Sequence, residues 1–187
     1  MRSFIAIDVS NELVCKVLEE LKKVNADIKI VEPQNLHITL KFLGEIREEL
    51  VDSIYEAMLP LADFPSFNLS MEGVGTFPSP KYIRVIWIGI RENRKKIVEM
   101  QQSLEERLIK LGFKKESRKF DPHLTICRVK SPHGKDELLR FIEKNRNREF
   151  GKVYIDKVYL KKSTLTPKGP IYSTIKTIHL REERPQG

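Results

Sequence analysis

The chain has 187 residues, with 34 Lys plus Arg against 26 Asp plus Glu for a net charge of +8, and 40% of its residues are hydrophobic. That length and apolar share allow a proper core and exclude collagen-like and disordered readings, and the positive balance suits a polyanionic partner. The longest apolar run, Val85 to Ile90, is far short of the roughly 18 residues of a membrane span, and Phe4 to Ile7 is too short for the core of a signal peptide.

The expectation is therefore a cytoplasmic chain with no membrane partner. Two cysteines, Cys15 and Cys127, lack the spacing of a disulfide framework or a zinc site and read as inert thiols. Most basic clusters, such as Lys110 to Lys119, are interleaved with acids and read as solvated faces.

In chain order, Ser3 to Val9 is β-branched and apolar and predicts a buried strand, with Ser10-Asn11 as a helix N-cap signal. Leu13, Val14, Val17, Leu18, Leu21 and Val24 form one stripe and predict a helix to about Ala26. After the break at Glu32 to Asn35, residues Leu36 to Leu43 alternate. Ile38, Leu40 and Phe42 fall on one face and His37, Thr39 and Lys41 on the other. A second helix runs to just before Pro60, Pro65 to Phe77 reads as extended, and Pro78-Ser79-Pro80 as a turn. Tyr82 to Ile90 is the clearest strand, followed by a helix from about Asn93 to Leu111.

After Gly112 the pattern starts again: a strand from His123 to Val129, a helix from Pro132 to about Asn145, and strands over Phe150 to Lys162 and Ile171 to Leu180. Ser163 to Pro170 reads as a hairpin loop. Adjacent strand pairs favour an antiparallel α+β fold over a doubly wound parallel sheet.

Two of the four histidines share a context. His37-Ile38-Thr39-Leu40 and His123-Leu124-Thr125-Ile126 are both His-apolar-Thr-apolar, each on an expected strand and each following a proline, Pro33 or Pro122. Residues two apart on a strand point the same way, about 7 Å apart, so each segment can offer an imidazole and a hydroxyl to one phosphate. In-line displacement at a phosphodiester needs one group to take a proton from the attacking water and another to give one to the leaving ribose oxygen. Two histidines can do both near neutral pH, with Thr hydroxyls holding the non-bridging oxygens. The scheme calls for no metal and no cofactor. A lone His-x-Thr on an amphipathic strand is usually plain surface; it is the duplication that favours a site.

The segments Asn35 to Gly44 and Phe120 to Arg128, with the late Leu165 to Tyr172, resemble the two-histidine phosphoesterase superfamily. Within it the chain is similar to the RNA 2',3'-cyclic phosphodiesterases, historically called 2'-5' RNA ligases. The resemblance implies one bilobal α+β unit over residues 1–187, with two pseudo-symmetric lobes of antiparallel sheet, helices outside and a central cleft taking one His-x-Thr motif from each lobe. It implies opening of a 2',3'-cyclic phosphate to a 2'-phosphate on RNA ends, tRNA fragments included, with reversible 2'-5' joining in some members, by a monomer. By similarity His37 protonates the departing 3' oxygen and His123 activates water, while Thr39, Thr125 and Arg128 bind substrate. Strand parity places Arg128 on the face opposite His123, so a bulge or the strand end has to turn it inward. Lys41 has cleft parity, and solvation at the cleft edge is an equal alternative.

His133 and His179 read as structural, and Cys127 as a packed thiol although it shares strand parity with His123. Two competing readings remain open. One is an RNA-end binding module without catalysis, against which the retention of both histidines argues. The other is a phosphodiesterase for small nucleotides or 2'-5' oligonucleotides.

Overall fold

A computed structural model describes residues 1–183. Nine strands form two antiparallel sheets among these residues, one of four strands and one of five. The strands are β1 (Arg2–Asp8), β2 (Ile28–Ile30), β3 (His37–Glu45), β4 (Phe67–Ser79), β5 (Tyr82–Ile90), β6 (His123–Val129), β7 (Glu149–Ile155), β8 (Lys157–Thr166) and β9 (Gly169–His179). The helices are α1 (Glu12–Leu21), α2 (Val51–Met58), α3 (Arg94–Ile109) and α4 (Lys135–Lys144). The four-stranded sheet runs β3-β1-β8-β9 and the five-stranded sheet β2-β6-β5-β4-β7. Each lobe thus carries one of the two histidine strands, and β3 and β6 approach each other across the middle.

Two of the helices are exchanged between lobes. α1 leaves β1 of the four-stranded sheet and packs against β7 of the other, whereas α3 leaves β5 of the five-stranded sheet and packs against β3. Asn11 fixes the first crossing: its Oδ1 accepts from the Val14 amide at 2.8 Å and its Nδ2 donates to the Phe150 carbonyl of β7 at 2.7 Å. A side-chain cap of this kind is worth about 1 kcal/mol, and here it also anchors the helix start to the partner lobe. Val14, Val17, Leu18 and Leu21 are buried as the stripe requires, but Leu13 is exposed and the helix ends at Leu21, well before Ala26. The short strand β2 follows, too brief to show a sequence period.

Three further boundaries differ from expectation. The stretch Phe150 to Lys162 is two strands in different sheets, with Asp156 at the crossing between β7 and β8. Phe150, Val153 and Ile155 in one half and Val158, Tyr159 and Leu160 in the other both favour strand, so local composition alone does not show the change of sheet. The β8–β9 pairing continues to Thr166↔Gly169, which shrinks the loop to its tip at Pro167-Lys168. Pro78 and Ser79, expected in a turn, remain paired with Ile83 and Tyr82 at the end of the β4–β5 hairpin.

Candidate active site

β3 and β6 begin with the two histidines and carry the same irregularity. Between β1 and β3, Ala6 pairs with Thr39 and Ile5 with Lys41, so Leu40 is skipped. Between β5 and β6, Trp87 pairs with Thr125 and Ile86 with Cys127, so Ile126 is skipped. A bulge reverses the alternation beyond it. Leu40 and Lys41 are consequently both buried, as are Ile126 and Cys127, while Phe42 and Arg128 turn outward. His37, Thr39 and Phe42 share the face of β3 turned away from its core, and His123, Thr125 and Arg128 share that of β6.

Three expectations about side are decided by these bulges. Arg128 does face the way of His123. Lys41 does not face the cleft: its ammonium is buried behind the strand, donating to Glu105 Oε1 at 2.8 Å and to the Lys114 carbonyl at 2.7 Å. Phe42, expected in the core with Ile38 and Leu40, is 63% exposed. Cys127 lies on the core face, and burial pushes its thiol up to about 12, which removes it as a nucleophile.

Each histidine is oriented in the same way. His37 Nδ1 is 2.6 Å from the Asn35 carbonyl oxygen, and His123 Nδ1 is 2.8 Å from that of Asp121, both two residues upstream. A carbonyl only accepts, so Nδ1 is the protonated nitrogen in both rings and Nε2 is the nitrogen without a partner among the described residues. Each ring is also walled by aromatics. Phe4 and Tyr172 stand 5.0 Å and 5.3 Å from His37, and Phe77 and Trp87 stand 4.9 Å and 6.4 Å from His123.

Burial pushes the His37 imidazolium below the ordinary histidine range, and the charges of Lys161 and Arg128 push it further, against the opposing pull of the Asn35 carbonyl and Asp8. Asp8 is directly opposite His37 in the β1–β3 register and holds the buried Lys161 ammonium as an ion pair. Burial likewise raises the Tyr172 phenol, against the pull of Arg128 and Arg2. Arg128, on the β6 side, therefore acts on both His37 and Tyr172 of the other lobe. Lys29 of β2 is directly opposite Arg128, which places a second cation beside it.

His133 and His179 are exposed and distant in the fold from this pair; His133 Nε2 is 3.4 Å from Asn25 Oδ1, in the turn before α4, and His179 ends β9. Among the described residues no group of three or more His, Cys, Asp or Glu side chains is placed to hold a metal ion. Sequence reasoning missed Asp8, Lys161, Phe4, Phe77 and Trp87. Only long-range pairing brings them to the histidines, although Asp8 as a charge ending an otherwise apolar strand was a visible signal.

Two imidazoles whose Nε2 atoms have no hydrogen-bond partner among the described residues, two threonines and an arginine thus stand on the matched strands β3 and β6. The chain matches the LigT like phosphoesterase family twice, over residues 7–87 and 88–172, one match for each half. It belongs to that family. The RNA 2',3'-cyclic phosphodiesterase of Methanothermobacter thermautotrophicus is 40% identical over 184 residues, covering 96% of this chain and 99% of the relative. That of Methanocaldococcus jannaschii is 44% identical over 179 residues, covering 94% and 99%. The crystal structure of TT0787 of Thermus thermophilus superposes with a TM-score of 0.79 at 27% identity, over 98% of this chain and all of that one. Escherichia coli LigT complexed with 3'-AMP shares the fold, with a TM-score of 0.75 at 22% identity, over 96% of this chain and 97% of that one.

Proposed function

We propose that this chain opens the 2',3'-cyclic phosphate at an RNA end, breaking the bond from phosphorus to O3' and leaving a 2'-phosphate. The observation that carries this reading is the matched pair of histidines, each with Nδ1 tied to a backbone carbonyl and Nε2 free, on strands that face each other. The names of the relatives over nearly the full chain support the substrate class, tRNA fragments with such ends falling within it. His123 takes a proton from water as water attacks phosphorus, and His37 gives its Nε2 proton to the departing O3'. A buried imidazolium is a stronger acid than a free one, which suits the donor, and the bound phosphate's negative charge sustains it until transfer. Thr39, Thr125 and Arg128 hold the non-bridging oxygens as charge builds on them.

The walls fit a nucleotide. Phe42, exposed on the cleft side with Phe4 6.4 Å away, offers a face on which the base of the cyclic nucleotide stacks. Lys29 and Arg128 offer cations to further phosphates. Both histidines come from one chain, so a monomer is sufficient, and both proton transfers are provided without a metal. A 5'-hydroxyl in the place of water yields 2'-5' joining at the same site, because the acid of one direction is the base of the other. Water is favoured by abundance. The test is incubation of the exhaustively chelated protein with an oligoribonucleotide ending in a 2',3'-cyclic phosphate, with the product phosphate mapped; recovery of activity only on adding a divalent ion contradicts the metal-free scheme.

A further inference from the structure

The two lobes depart from their symmetry in the residues opposite each motif: Ala6 faces Thr39 but Trp87 faces Thr125. Asp8 is opposite His37, whereas the residue opposite His123 is Gly89. In the first lobe the carboxylate and Lys161 fill the ground beside the histidine. In the second a hollow of about 180 Å³ lies beside the histidine, lined by Phe77, Trp87, Gly89 and His123, with the half-exposed Arg94 and Asp121 at its edge. Gly75, opposite Trp87, is required: a Cβ there would come within 2.3 Å of the indole, which lies over it. Gly75 therefore lets an indole lie across the sheet beside His123, and Gly89 admits the close approach of the Glu72 carbonyl.

We propose that this hollow is a second nucleoside subsite, which takes the base of the nucleoside whose 5'-oxygen enters or leaves at phosphorus. The inference rests on the reading of His37 and His123 as the phosphodiester acid and base. A cavity of roughly 150 Å³ accepts one benzene ring, so the space matches a single planar ring system. Phe77 and Trp87, 5.2 Å apart, provide stacking faces. At the mouth, the ion-paired Arg94 and Asp121 set donors and acceptors side by side, as the edge of a base requires.

The position relative to His123 selects the occupant. Whatever replaces water is deprotonated by His123, and the rest of that molecule falls against this imidazole, where the hollow opens. In the joining direction the 5'-oxygen forms its bond to phosphorus, its proton goes to His123, the bond from phosphorus to O3' breaks, and O3' takes the proton of His37. The product is a 2'-5' linkage with a free 3'-hydroxyl, and cleavage is the reverse.

Trp87 is the sole tryptophan of the chain, so its fluorescence reports on the hollow. With the slow His37→Ala variant, adenylyl-2',5'-adenosine is expected to quench this emission and adenosine 2',3'-cyclic phosphate to leave it nearly unchanged. With the unaltered chain, the cyclic nucleotide and adenosine as acceptor are expected to give a ratio of 2'-5' dinucleotide to 2'-phosphate that Trp87→Leu lowers by about tenfold or more, the worth of a base stack. Arg94→Ala, at the exposed rim, lowers it in the same direction and covers the case in which the tryptophan variant fails to fold. Fluorescence unmoved by the dinucleotide, or a ratio unchanged in both variants, overturns the subsite while hydrolysis continues. Loss of the phosphodiester reading itself appears differently, as no hydrolysis by the unaltered chain, and the fluorescence arm still decides the hollow.

Discussion

His37 Nδ1 is held 2.6 Å from the carbonyl oxygen of Asn35, and this bond decides which nitrogen of the ring works in the cleft. With Nδ1 committed, a change that keeps ring size but not the proton-exchanging Nε2 removes the chemistry. His37→Ala and His123→Ala are each expected to lower turnover by ~10² to 10⁴, the range for losing a positioned acid or base. The double variant loses less than the product of the two, since both act on one transition state. Single-turnover rates on a cyclic-phosphate RNA check this.

The burial of His37 sets a pH dependence whose sign is fixed. In the proposed role of acid His37 works protonated, and its folded value is below the ordinary value near 6.5, so kcat/KM is expected to fall on the alkaline side beginning below that value. In kcat the same limb moves to higher pH, because bound phosphate favours the charged ring. Lys161→Met removes a repelling cation and moves the kcat/KM limb upward. Stability follows the same shift: between the lowered folded value and the ordinary unfolded one, the unfolded chain binds more protons, so stability rises with pH and is lost on acidification. His37→Gln flattens that segment of the urea midpoint against pH.

Lys41 separates structure from chemistry. Its ammonium is 4% exposed, and Glu105, 7% exposed, is held by it and by the Gln101 amide at 3.0 Å. Lys41→Met leaves that carboxylate buried without its cation, at a cost of about 3 to 5 kcal/mol in urea unfolding, and Lys41→Met with Glu105→Leu recovers much of it. The folded fraction of either variant retains the cleft residues, so its kcat stays close to that of the parent.

In the proposed mechanism Arg128 and the two threonines hold phosphate rather than transfer protons. Arg128→Ala is expected to raise KM and to reduce the salt dependence of RNA binding by about 0.7 in the log-log slope, the share of one neutralised phosphate on a single strand. Thr39→Ala and Thr125→Ala lower kcat by less than either histidine change, each removing one donor to the phosphoryl oxygens. Fluorescence anisotropy across a salt series and steady-state kinetics measure the two effects.

Much of this was legible in the chain. The strand Tyr82 to Ile90 and the strand His123 to Val129 were readable to the residue because their period and their flanking turns agree. The histidine pair was legible because the His-apolar-Thr pattern recurs. What was hidden is what a bulge does. Leu40 and Ile126 carry no local mark, yet each reverses the alternation after it, sending Lys41 inward and Phe42 and Arg128 outward. The site's asymmetry was equally out of reach, since Asp8 and Gly89 become equivalent only when β1 and β5 are aligned on the two histidine strands.

Opening of a cyclic phosphate toward the 2' side by two histidines on facing strands is tested by treating an RNA that ends in a 2',3'-cyclic phosphate with the chelated protein. The His37→Ala and His123→Ala variants are run beside it, and the terminal phosphate is identified by its position. A 2'-phosphate is expected from the parent, with a large loss of rate in both variants. A 3'-phosphate product, or either variant retaining near full rate, contradicts the two-histidine mechanism.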